Sequence, residues 1–101
     1  MAETPVVAVP AGLGPAGVEL WHRVADEFVL PEHMLSVLLG ACHLADRAVQ
    51  AREVIAREGL LSQDNRGNWK EHPAVSIERA SLAGMQRALK TLNVDLVAGE
   101  E

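Results

Sequence analysis

Apolar residues recur along most of this chain at helical spacing, and the places where that rhythm breaks divide it into segments. Residues 1–14, with Pro5, Pro10, Gly12 and Gly14, carry no such period and read as a flexible arm. Pro15 suits the first position of a helix. From there Val18, Trp21, Ala25 and Phe28 fall on one face, while Glu19, Arg23, Asp26 and Glu27 lie elsewhere. This predicts a short amphipathic helix anchored in the core by Trp21. Leu30-Pro31-Glu32 repeats the start signal, with an acid in the first turn where the helix dipole favours it. The second helix then runs to Glu58; at about 25 residues and 1.5 Å per residue it spans ~38 Å. Its inner stripe is Leu35, Leu38, Cys42, Ala45 and Val49, with His43, Asp46, Arg47, Gln50 and Glu53 on the solvated remainder.

Gly59 provides the left-handed residue that commonly closes a helix. From Leu60 to Glu71 the pattern changes. Asp64-Asn65-Arg66-Gly67 has aspartate first and glycine fourth, as a type I turn prefers, and Leu61 and Trp69 are placed to pair across a small hairpin. Pro73 reopens a helix. Val75, Leu82, Met85, Leu89 and Leu92 form one stripe on it, and Ile77, Ser81, Gly84 and Ala88, mostly small, form a second beside it. Two packable faces call for two neighbours: the second helix of the same chain and an adjoining subunit. The expected fold is all-α, a three-helix core with a long central helix and a small β-hairpin between helices two and three. Residues 1–14 form an arm, 15–94 a helical oligomerisation core with its hairpin at 60–71, and 95–101 an acidic tail.

Composition bounds the function. The chain has 101 residues, 49% of them hydrophobic and 23% charged, which suits a single globular domain with a thin core. No run approaches the roughly 20 apolar residues that span a bilayer, and no signal peptide opens the chain, so the expectation is a soluble intracellular protein. Cys42 is the lone cysteine and reads as a small buried hydrophobe. The net charge of -5 argues against a freely basic DNA-coating protein. The charge is unevenly spread, however. Between Asp46 and Lys90 lie eight of the nine basic residues against six acids, so any nucleic-acid surface belongs to that segment. Arg66 and Lys70 are the best candidates, because a hairpin projects side chains from the helical body; Arg47, Arg52 and Arg57 on the second helix follow.

Catalytic chemistry finds little support. The sequence holds no Walker loop, no nucleophile elbow and no H-E-x-x-H. His43 and Asp46 share a helix face, but Cys42 points about 100° away and no second helical pair accompanies them, so they read as solvated polar residues rather than metal ligands. No catalytic residue, metal or cofactor is expected.

The order of landmarks carries more. Gly12-Leu13-Gly14-Pro15 precedes Leu20-Trp21-His22-Arg23-Val24. A long helix holding Ala41-Cys42 ends in Glu58-Gly59, a hairpin carries Arg66-Gly67-Asn68, His72-Pro73-Ala74 opens the last helix, and Leu89-Lys90-Thr91-Leu92 closes it. Over residues 12–94 this resembles the small terminase subunits of tailed bacteriophages of the cohesive-end type. The chain departs from that pattern where His72 replaces the usual Asn, where Asn93 replaces the usual Gly, and where an acidic end, Asp95 to Glu101, replaces a basic one. The resemblance implies a non-catalytic protein of the host cytoplasm. It would form a cyclic homo-oligomer, engage double-stranded viral DNA and regulate a separate large subunit holding the ATPase and nuclease. Ile77, Ser81, Gly84, Ala88 and Trp69 are the expected subunit interface. A helical protein-protein adaptor that never touches DNA is the rival reading, since it needs only the apolar stripes and acidic flanks.

Overall fold

The computed structural model describes residues 8–93. It contains α1 (Pro15–Ala25), α2 (Glu32–Glu58), β1 (Leu61–Gln63), β2 (Trp69–Glu71) and α3 (Pro73–Leu92). The three helices, the long central one and the hairpin before the last are those expected. Residues 1–7 and 94–101 lie outside the described part, and with them half of the arm and the whole acidic tail.

The helix ends follow local chemistry. Pro15 and Pro73 open α1 and α3. Gly59, at φ +90°, turns the chain out of α2 while its N–H donates to the Ile55 carbonyl at 2.7 Å. Asn93 closes α3 in the left-handed region, φ 60°, with its N–H on the Leu89 and Lys90 carbonyls. Asparagine tolerates that conformation better than other residues with a Cβ, so it can replace glycine here.

Helix α2 is the shared partner. The Arg52–Glu78 and His72–Glu58 pairs and the approach of Leu44 to Gly84 place α3 antiparallel to it. At the other end α1 folds back on the first half of α2. The core sits there, formed by Leu20, Trp21, Val24, Leu38, Ala41, Cys42 and Leu92. Toward the hairpin the contact thins to Ala48, Ala51 and Ala74.

Burial corrects the expected faces. On α1 the buried positions are Gly17, Leu20, Trp21 and Val24, a face rotated from the Val18–Ala25 stripe. On α2 the stripe leaves Val49, 43% exposed, and passes to Ala48 and Ala51, because α3 rather than α1 covers the second half. Asp46, expected in solvent, is buried. Its Oδ2 accepts the Gly14 N–H and its Oδ1 the Gly17 N–H, each at 2.7 Å. Gly14 offers α1 no side-chain cap, so the carboxylate of the next helix satisfies the first donors of α1 and meets the positive end of its dipole. The glycines make room for it: a Cβ on Gly17 would meet the Asp46 carboxylate and lie 2.9 Å from the Cys42 carbonyl.

Beside that clamp, burial, with the Asp46 charge adding to it, pushes the Cys42 thiol up to about 11. Only the thiolate is nucleophilic, so native protein should resist alkylation at pH 8, and denaturant should restore one reactive thiol per chain. Labelling by iodoacetamide at the same rate with and without denaturant would contradict this burial.

Candidate nucleic-acid and subunit interface

The hairpin is built around Asp64. Its Oδ1 accepts the backbone N–H groups of Arg66 and Asn68 at 2.8 and 2.9 Å, and its carbonyl accepts that of Gly67 at 3.0 Å. The Asn68 and Arg66 hydrogen bonds hold the Asp64 carboxyl below its ordinary range. Gly67, at φ +83°, completes a three-residue loop of turn plus left-handed glycine. That loop fixes the register: Leu61 faces Glu71, Ser62 faces Lys70 and Gln63 faces Trp69. Leu61 and Trp69, expected to pair across the hairpin, are therefore diagonal neighbours, because pairing them directly would take Gly67 out of the turn and into the paired strand. With side chains alternating along each strand, Leu61, Gln63, Trp69 and Glu71 share one face of the ribbon, and Ser62 and Lys70 share the other.

His72 fastens the ribbon to the helices. Its N–H extends the ladder to the Leu60 carbonyl at 2.7 Å, and its Nδ1 accepts the Ala74 N–H at 3.0 Å, capping α3 as an asparagine side chain would. With Nδ1 an acceptor, Nε2 carries the proton and donates to Glu58 Oε1 at 2.8 Å. This hydrogen bond is the largest cause holding the Glu58 carboxyl below its usual value. The departure from asparagine thus preserves the cap and adds a tie to the end of α2. Sequence reasoning did not find that tie, because it joins residues 14 apart across the hairpin.

The five candidate DNA contacts divide. Arg66 and Lys70 on the hairpin and Arg47 on α2 are exposed, and among the described residues none has a carboxylate within ion-pair distance. Arg52 is engaged with Glu78 through Nε at 2.8 Å and Nη2 at 2.7 Å, and Arg57 lies 3.7 Å from Glu58. The candidate interface set divides as well. Trp69 is 65% and Ile77 45% exposed. Ser81 is buried within the chain, a Cβ on Gly84 would come 2.9 Å from Leu44, and Ala88 packs on the core. The small-residue stripe is therefore the seam between α3 and α2. It is not a second free face, because small side chains are what let these two helices approach.

An apolar groove of about 340 Å³ runs between α2 and the start of α3, lined by Arg47, Gln50, Ala51, Val54, His72, Pro73, Ala74 and Ile77. Among the described residues no three His, Cys, Asp or Glu side chains gather where a metal ion could be held, and no helix is long and apolar enough to cross a membrane.

No curated protein and no solved structure matches the chain. A family model described as phage terminase, small subunit, matches residues 17–98, from the first turn of α1 to beyond the end of α3. The chain therefore belongs to the phage terminase small-subunit family, which gives it a role in phage DNA packaging.

Proposed function

We propose that this protein assembles in the host cytoplasm into a cyclic homo-oligomer that engages double-stranded viral DNA and regulates the ATPase and nuclease of a separate large terminase subunit. It performs no chemistry and needs no cofactor. The observation that carries the reading is the two-sided hairpin, with Leu61 and Trp69 exposed on one face, Lys70 on the other and Arg66 in the loop. The apolar face supports a subunit contact and the basic face supports contact with phosphate. In this reading residues 15–94 are the oligomerising core between the arm 1–14 and the tail 95–101 of the sequence, and Ile77 with Trp69 forms the outward part of the interface.

The acidic tail, outside the described residues, is the proposed contact for a basic surface of the large subunit. The test measures ATP turnover by the cognate large subunit on DNA with full-length protein and with protein truncated after Val94. Full-length protein should change turnover and the truncated form should change it less while assembling normally, since the apolar stripe of α3 ends at Leu92. Equal effects reject the tail as the contact. No change from the full-length protein rejects the regulatory role, and absence of duplex binding at low salt favours the adaptor reading.

A further inference from the structure

We infer that the apolar face of the hairpin of one copy docks into the groove between α2 and α3 of the next, with Trp69 as the plug and the Ile77 wall as the socket. This rests on the homo-oligomer proposed above and says how its subunits meet.

A two-stranded ribbon with three residues in each strand is marginally stable by itself and needs a surface to cover its apolar face. Among the described residues no helix of its own chain covers that face: Leu61 and Trp69 are 55 and 65% exposed, and Trp69 is not among the residues that line the groove of its own chain. The groove offers matching chemistry. Ala51, Val54, Pro73, Ala74 and Ile77 line it with apolar surface, beside Arg47 and Gln50. A groove of 340 Å³ admits an indole ring, and Arg47, which lines it, supplies a cation that the face of that ring attracts. One tryptophan contributes roughly 150–250 Å², short of the ~800 Å² per partner of a standard interface, so the contact must extend to the neighbouring exposed apolar residues, Leu61 on the ribbon face and Ile77 on the groove.

Ribbon and groove are different surfaces at one end of the molecule, joined by His72 and Pro73. Contact between them in successive copies is head-to-tail, and such contacts make a ring where the rotation between copies closes. It also leaves Lys70, on the opposite ribbon face, free for phosphate.

Complementation tests this on the full chain. Trp69→Ala removes the plug and leaves the socket; Ile77→Lys, at an exposed helical position, blocks the socket and leaves the plug. Native mass spectrometry at tens of micromolar should show the wild type as a closed assembly and each variant as a monomer. An equimolar mixture should give a one-to-one heterodimer and nothing larger. If the wild type assembles and either variant does too, the docking is wrong and the homo-oligomer stands; an effect of Trp69→Ala on DNA binding alone has the same meaning. A monomeric wild type removes both. A crosslink guards against misfolded variants: a Trp69→Cys chain mixed with an Ile77→Cys chain should form a mixed disulfide under mild oxidation, with buried Cys42 uninvolved. Assembly of that mixture without a mixed disulfide overturns the docking.

Discussion

Replacing Asp46 with alanine should cost about 3–5 kcal/mol, because two backbone N–H groups, one buried and one part-buried, lose a charged acceptor at 2.7 Å. For a domain of this size that is a fall of roughly 15–30 °C in melting temperature at fixed protein concentration. Gly17→Ala attacks the same contact from the other side and should cost about 2–3 kcal/mol by overpacking. The two losses should not add. With Asp46 removed, the added methyl group still meets the Cys42 carbonyl but no longer a carboxylate, so the double variant should be more stable than the sum of the single changes implies. Thermal unfolding followed by circular dichroism measures all three. An Asp46→Ala protein that melts within a few degrees of the wild type would show that the carboxylate does not hold α1.

Arg66→Ala with Lys70→Ala should weaken duplex binding by at least about tenfold at low salt and flatten its salt dependence by roughly two units of slope per engaged subunit. The size follows from position: both residues project from the ribbon, and in an assembly each loss repeats around the ring. Arg52→Ala is the informative contrast. Its guanidinium is already bonded to Glu78, so removing it should change the salt slope less. Fluorescence anisotropy against salt concentration reads both. An unchanged slope in the double variant would move the DNA surface off the hairpin, and no binding by the wild type at low ionic strength would remove direct recognition by this chain.

Local signals carried most of the architecture. Proline openings at 15 and 73, the positive-φ glycine at 59 and the Asp64–Gly67 turn act within a few residues and place every element. What they could not convey was which helix covers which face. Asp46 falls among polar positions on α2, and its burial depends on the N-terminus of α1, about 30 residues earlier, arriving with glycines at 14 and 17. Ser81 and Gly84 look like a spare surface until Ser81 is found buried and Leu44 is seen to lie against Gly84. On the hairpin the residue types were legible, but the exposure of Trp69 and the pairing of Arg52 and Arg57 depend on side-chain placement that spacing does not determine.

Helix α1 has 11 residues, fewer than the ~12–15 at which an isolated helix becomes marginal in water, so it persists only while docked. Docking can propagate from the short turn at 26–31, pairing α1 with α2 rung by rung, and the Asp46 clamp is the last rung, at the open end of that zipper. Fraying begins at the same place. The amides of Gly14 and Gly17 therefore report, through their hydrogen-exchange protection, how often the first helix peels away while the α2–hairpin–α3 half remains folded.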